Sequence, residues 1–278
     1  MKRVAFILFS ILLTGFTSYA QTLDKVKGNK NVITQTTETE AFHTLIIDDD
    51  FEVSLIFNQT PLVTIDTDDN LFPYIIIDEH EGVLSLKKTA KLITSKGIIV
   101  KINYNNELTN IKVKDKAQVS APTPIDLENL TLIAEGSSKV DLHLKTDTFT
   151  FQSNEKSRVK LDAVCKKAML TLSQTSKLEG LFYSKETSME LYDKANVSLN
   201  GETDSLNLKT DNDAQFNGKE FLIKTCLTTN ETSSDVYLNV LETLTMEASG
   251  SSSVNVYNSP KIIINRFDDT AKLQKKAK

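Results

Sequence analysis

The chain has 278 residues with 37 acidic and 32 basic side chains, a net charge of −5 at pH 7. A mildly acidic chain lacking a basic block is a poor candidate for nucleic-acid or anionic-membrane binding. The Lys-rich end, KLQKKAK, is short and reads as a solvated tail.

Residues 1–20 read as a secretory leader cleaved from the mature protein. Lys2 and Arg3 precede an apolar run from Val4 to Phe16, and Ser18-Tyr19-Ala20 puts small residues at the cleavage site, so Gln21 starts the mature chain. The run is shorter than the roughly 20 residues that span a bilayer, and no Cys stands nearby to take a lipid. The leader carries no acid, so its removal moves the net charge to −7. The remaining chain suffices for one elongated domain or two compact ones.

Residues 21–107 read as an irregular β segment that caps or starts a repeat array running from residue 108 to the end. Strands are predicted at Thr44–Ile47, Phe51–Phe57, Val63–Ile65, Tyr74–Ile77, Val83–Leu86 and Ile98–Tyr104. Turn residues separate them, among them Asn58 to Pro61, Asp66 to Asn70, Glu81-Gly82 and Ser95-Lys96-Gly97.

Residues 108–278 repeat. LTLIAEGSSKVDLHL at Leu130 returns as LTMEASGSSSVNVY at Leu244, and weaker copies lie between. Anchors at Ile111, Leu130, Phe149, Leu170, Met189, Leu206, Cys226, Leu244 and Ile263 are 19, 19, 21, 19, 17, 20, 18 and 19 residues apart, a mean of 19. A second apolar start comes after each turn: Val119, Val140, Val159, Leu178, Val197, Phe216, Val236 and Val254. Period-two alternation in units of fixed length is the mark of a β-solenoid, in which each coil completes its core only by stacking on its neighbours. An antiparallel sandwich also shows many short alternating strands, but not one internal grammar kept through nine units. One stretch conflicts: Leu161, Val164, Cys165, Ala168 and Met169 keep helical spacing, which suggests a helical turn at a corner of the longest unit.

Only two cysteines occur, Cys165 and Cys226. The repeat places them at least three coils apart, about 14 Å along the axis, beyond the roughly 7 Å a disulfide allows between Cα atoms. Two free thiols are expected, with Cys226 inward in the place other units give to Leu. The far end of the rod holds only Ile262 to Phe267 and the basic tail, so charge is its expected protection.

Over roughly residues 27–275 the chain resembles the putative auto-transporter adhesin, head GIN domain family of Bacteroidetes. The likeness rests on Gly28-Asn29, FEVSLIFNQTPLVTIDTDDNLFPYI, EGVLSL, the Gly-Ser-x-x-Val turns at 136–140 and 250–254, and Tyr257 with Pro260. The resemblance implies a right-handed parallel β-helix with about 19-residue rungs and no established catalytic residues to carry over. The chain departs from the pattern in having only nine glycines, with NEKSRV and YDKANV replacing Gly-Ser turns. Asn258-Ser259 also stands where a glycine usually separates Tyr257 from Pro260. No C-terminal stretch is long enough for a membrane barrel of its own.

Catalytic, cofactor-binding and metal residues are all expected to be none. His43, His80 and His143 are far apart in sequence, and His143 alternates onto the wet face. Asp48-Asp49-Asp50 and Asp66 to Asn70 are acidic, but both lie between strands, where Asp is a turn residue; the second run has Leu71 and Ile77 where a calcium loop needs Gly and Glu. A polysaccharide lyase or hydrolase is the rival reading. It needs paired carboxylates in a groove walled by long loops, whereas the turns here are short. Trp is absent, leaving Tyr183, Tyr192 and Tyr237 to stack on a sugar. Asp204-Ser205-Leu206 and Asp269-Thr270-Ala271 resemble O-glycosylation acceptor triplets, although Leu206 already serves as an anchor. The sequence therefore points to an exported, non-catalytic rod, periplasmic or at the cell surface. It has no transmembrane segment after leader cleavage, and its expected partner is an envelope glycan or protein.

Overall fold

A computed structural model describes residues 24–94 and 97–277. The leader and the start of the mature chain at Gln21 lie outside the described residues. The chain forms a β-solenoid of about nine turns with coils of about 19 residues. In the central coils each repeat is one bent strand, as at Lys139–Ser153, Arg158–Leu172, Lys177–Leu191 and Asn196–Thr210, closed by a four-residue turn. Each of these central coils pairs in parallel with the coils on either side, so its backbone groups are satisfied between layers.

Alternation dictates which side chains enter the core. In Lys139–Ser153 the inward residues are Val140, Leu142, Leu144, Thr146, Phe149, Phe151 and Ser153. Their phase jumps by three across Asp147-Thr148, where the strand turns a corner. The same jump takes Cys165 to Ala168 in the next coil, and it is the source of the helix-like spacing there. That stretch is continuous strand, Arg158–Leu172, with Val164 and Met169 pointing outward at 54% and 38% exposure. The expected helical turn does not form.

The second apolar starts form one unbroken ladder from Val53 through Val119, Val140, Val159, Leu178, Val197, Phe216 and Val236 to Val254. The anchors do not. Phe149 stacks between Leu130 and Ala168, and the ladder continues through Thr187, Leu206, Cys226 and Leu244 to Ile262. Leu170 and Met189 belong to the neighbouring ladder, above Ile111, Leu132 and Phe151. The 21-residue unit therefore dissolves into an even 19: Leu170 and Met189 outrank Ala168 and Thr187 in hydrophobicity, and they captured the anchor by two residues.

The turns share one device. A residue with positive φ recurs at Asp115, Gly136, Glu155, Gln174, Asp193, Asn212, Thr232, Gly250 and Asp269. Two positions later a small side chain tucks under the turn: Ala117, Ser138, Ser157, Ser176, Ala195, Ala214, Ser234 and Ser252 are all at 0–1% exposure. Glycine takes the left-handed position only where coils approach most closely. Ser137 N donates to Asp115 O at 2.5 Å and Ser251 N to Thr232 O at 2.6 Å, against 2.8 Å for Lys156 N to Gly136 O and 2.9 Å for Thr175 N to Glu155 O. A Cβ on Gly136 or Gly250 would lie 2.7 Å or 2.5 Å from that neighbouring backbone.

The first coils stack out of chain order. Thr44–Ile47 and Glu52–Phe57 are sandwiched between Val83–Lys88 with Ile99–Tyr104 on one side and Asn110–Val113 with Gln118–Ser120 on the other. Antiparallel strands then end the stack: Leu62–Asp68 lies against Ile99–Tyr104, Val32–Glu38 against Leu62–Asp68, and Ile75–His80 against Val83–Lys88. Four strands escaped the sequence reading: Lys25–Lys27, Val32–Glu38, Lys91–Ile93 and Lys272–Lys275, the last in the tail expected to be solvated, where Leu273 packs against the core. At the opposite end Lys261–Phe267 and Lys272–Lys275 pair on their inner edge only.

Cys165 and Cys226 are buried free thiols in different ladders, three coils apart. Cys226 faces inward between Leu206 and Leu244. Burial pushes its thiol up to about 12 and that of Cys165 up to about 11.

Candidate binding face

The face just past the turns carries two outward ladders flanking the buried Val ladder. One runs Glu52, Gln118, Lys139, Arg158, Lys177, Asn196, Gln215, Asp235, Ser253 and Lys272. The other runs Ser54, Ser120, Asp141, Lys160, Glu179, Ser198, Asn217, Tyr237 and Asn255. Parallel pairing repeats each outward position about every 4.8 Å, so the face is a strip of polar groups with a fixed step.

Two shallow grooves lie along this strip and share Glu179. The first, about 410 Å³, is lined by Lys139, Arg158, Lys160 and Lys177 among others. The second, about 570 Å³, is lined by Asn196, Gln215, Asn217 and Tyr237 among others. In the second half the amides are already ordered: Asn196 Nδ2 donates to Gln215 Oε1 at 2.8 Å and Asn217 Nδ2 to Ser198 Oγ at 3.4 Å. The Asp235 carboxylate raises the Tyr237 hydroxyl above its usual pKa. The strip thus offers cations interspersed with Glu52, Asp141 and Glu179 at one end, and amides, hydroxyls, the Asp235 carboxylate and an aromatic ring at the other.

The residues singled out by sequence do not converge. Tyr237 belongs to the strip, Tyr183 stands in the ladder of Asp126, Lys145 and Val164, and Tyr192 donates to Glu190 Oε2 at 2.8 Å beside a turn. His143 lies on the wet side, its Nδ1 3.2 Å from Asp162 Oδ2. Asp49 takes the positive-φ turn position, and its Oδ2 accepts from Lys88 N at 2.6 Å while Asp50 pairs with Lys88 Nζ. A hydrogen bond with Asp48 raises the Asp115 carboxyl. In the other acidic run, Asp69 accepts from the Asn29 and Asn31 side chains. Asp49 and Asp50 fasten a turn, whereas the expected turn at Asp66 to Asn70 does not form: Asp66 to Asp68 end the strand Leu62–Asp68 and Asp69 opens a 3-10 helix. Among the described residues no three His, Cys, Asp or Glu side chains converge as a metal site. Sequence reading missed the strip because its members lie 19 residues apart and gain meaning only once the register is known.

These features define a class: a parallel β-solenoid with one end closed by antiparallel strands and a polar strip along one face. The chain belongs to the family described as putative auto-transporter adhesin, head GIN domain, which matches residues 41–181 and again 165–260. Among solved structures it is similar to a putative adhesin of Parabacteroides merdae, with 17% identity and a TM-score of 0.65 over 91% of this chain and 100% of that one. It is also similar to a putative adhesin of Parabacteroides distasonis, with 15% identity and a TM-score of 0.65 over 90% and 100%. A third, from the same species, is described as a putative lipid binding protein, with 13% identity and a TM-score of 0.62 over 91% and 100%. At these identities the likeness carries the fold. No curated protein matches the sequence. No helix among the described residues is long and apolar enough to cross a membrane.

Proposed function

We propose that this protein is an exported, non-catalytic binding module of the cell envelope whose polar strip engages an extended glycan. The observation that carries the reading is the strip itself, in which outward groups recur at one spacing through consecutive coils. A chain of sugars presents hydroxyls at a comparable recurrence, and many weak contacts along a stiff array add to useful avidity. The family's description as an adhesin supports a binding role.

A glycan array with the protein beginning at Gln21 tests the reading. Retention of extended glycans, lost when Asn196, Gln215 and Tyr237 are changed to Ala, is the expected result. Capture only of an envelope protein in a pull-down would move the partner from glycan to protein. Release of new reducing ends from a polysaccharide panel would replace the binding reading with an enzymatic one. N-terminal sequencing of exported protein is expected to begin at Gln21, and protease shaving of intact cells separates periplasm from surface.

A further inference from the structure

One ladder of the strip breaks a rule that the rest of the solenoid obeys. Where charged residues pair directly in adjacent parallel coils, the signs are opposite: Asp126 with Lys145, Asp141 with Lys160, Lys160 with Glu179, Lys167 with Glu186, Glu190 with Lys209, and Glu247 with Arg266. Several of these are ion pairs, such as Lys145 to Asp126 at 2.7 Å and Arg266 to Glu247 at 3.7 Å. Outside the main sheet, in the two-stranded sheet of the N-terminal end, Lys25 pairs with Lys91. Within the main sheet the exceptions are consecutive and share a ladder: Lys139 pairs with Arg158, and Arg158 with Lys177. All three are exposed, and among the described residues none has a carboxylate oxygen within 4.0 Å of its cationic nitrogen atoms.

Stacking three like charges about 4.8 Å apart works against folding, and more so without neutralising partners. The run is also bounded, by Gln118 on one side and Asn196 on the other. It stands out on a chain of net charge −5. A repulsive element that stabilises nothing within the chain is accounted for by a ligand that neutralises it.

We propose that Lys139, Arg158 and Lys177 form a binding site for an acidic polysaccharide, with one carboxylate or sulfate of successive sugars set against each cation. The site rests on the glycan reading proposed for the strip and adds the charge class of the glycan. Arg158, in the middle, can grip a carboxylate with two parallel hydrogen bonds, while the lysines act as point charges. The neighbouring Gln118, Ser120 and Asn196 supply hydroxyl-binding groups on the same flat strip. The carboxylates of Asp141 and Glu179 in the groove flank Lys160, their partner in the adjacent ladder, while Glu52 stands two coils from Lys139. A single-stranded nucleic acid is the less fitting polyanion, because the groove around these cations has no aromatic side chain on which a base would stack.

The test measures affinity of the protein beginning at Gln21 for polygalacturonate, for its fully methyl-esterified form, for neutral dextran and for oligodeoxythymidylate, across a salt series. Polygalacturonate is expected to bind with a slope of log K against log salt near −2, the value for about three neutralised charges, or roughly a 20-fold loss between 50 and 200 mM salt. The esterified polymer, which keeps the backbone and loses the charge, is expected to bind at least 10-fold more weakly. K139Q/R158Q/K177Q should lose polygalacturonate binding by at least 10-fold and flatten the salt slope. K145Q/K167Q/K209Q, which removes the same charge from other ladders, should change it less than 2-fold. Because the first variant relieves repulsion, its melting temperature should not fall, so lost binding is not lost folding. Equal binding by the ladder variant and wild type would overturn the site. Dextran binding without polygalacturonate binding would overturn the site and leave the glycan reading standing, whereas no binding to any glycan would overturn both. Tighter binding to oligodeoxythymidylate than to polygalacturonate would reassign the ladder to nucleic acid.

Discussion

The two ends of the solenoid solve the same problem differently. At the N-terminal end the outermost parallel coil is covered by antiparallel strands, and Phe42, Leu71 and Ile65 lie at 0–1% exposure beneath them. At the C-terminal end the last coil is bare: Ile262, Ile264 and Phe267 continue the core ladders yet are 41%, 49% and 43% exposed. Lys261, Arg266, Lys272 and Lys275 surround them, and Arg266 Nη2 reaches back to Glu231 Oε1 at 3.0 Å. The difference shows that a ladder position has no worth of its own. An aliphatic side chain contributes in proportion to the layer laid over it, and the last layer contributes least.

The sharpest way to break this comparison is to place one charge in one ladder at two heights. Leu208 and Ile264 share a ladder through Thr228 and Met246, but Leu208 is fully buried. Leu208→Lys should cost more than about 4 kcal/mol, because an unpaired ammonium would sit in a dry core. Ile264→Lys should stay within about 0.5 kcal/mol of wild type. Urea titration of both variants decides, and equal losses would mean that the final coil is covered in solution.

A smaller effect probes the closed end. A Cβ on Gly28 would fall 1.8 Å from Asp68 Oδ2, and Asp68 is 1% exposed with no hydrogen-bond partner for either carboxylate oxygen among the described residues. Gly28→Ala should therefore cost about 1–3 kcal/mol, the usual penalty of overpacking. Hydrogen exchange should rise first in Lys25–Lys27 and Val32–Glu38, the strands flanking this contact.

The thiols sharpen the comparison chemically. Cys226 and Ile262 occupy one ladder, the first at 4% and the second at 41% exposure. At pH 8 native Cys226 should resist a thiol reagent, whereas Ile262→Cys should supply a thiol that reacts within minutes. The sign of the pH effect comes from burial. The Cys226 thiol is raised in the fold to about 12 from an ordinary 9.0, so its share of stability is complete below pH 9 and is lost as pH rises toward the folded value. By pH 10 that share has fallen by about 1.4 kcal/mol. Cys226→Ala should accordingly lose about that much less stability than wild type between pH 8 and 10.

Sequence reading recovered what depends on local alternation and missed what depends on closure. The Val ladder was legible because Val, Leu and Phe come after every turn at an even spacing. Ala168 and Thr187 were passed over for Leu170 and Met189, because a solenoid core admits small and hydroxylated residues that hydropathy discounts. Val32–Glu38 was illegible for another reason: VITQTTE is an exposed edge strand and has no buried alternation to display. The cation ladder was invisible until parallel register brought residues 139, 158 and 177 into line.

The turns are the one feature both ends share, since positive φ recurs from Asp49 in the first coils to Asp269 in the last. Most of these positions carry side chains, and each non-glycine residue held left-handed costs about 1–2 kcal/mol, partly offset by the extra freedom glycine has when unfolded. At Gln174, φ 57°, only backbone atoms bond to a neighbouring turn, the N–H to Asp193 Oδ2 at 3.1 Å and the carbonyl from Lys194 N at 2.8 Å, and a glycine would keep both bonds. Gln174→Gly should therefore gain about 0.5 kcal/mol. At Asp269 the side chain accepts from Gly250 N at 2.9 Å, and the coil it closes is the uncovered one. Asp269→Gly should gain nothing, because it removes that bond from a turn which already opens before the rest of the rod. Paired melting curves carry the decision. Equal gains at both positions would mean that backbone strain, rather than the layer above, governs the stability of the last coil.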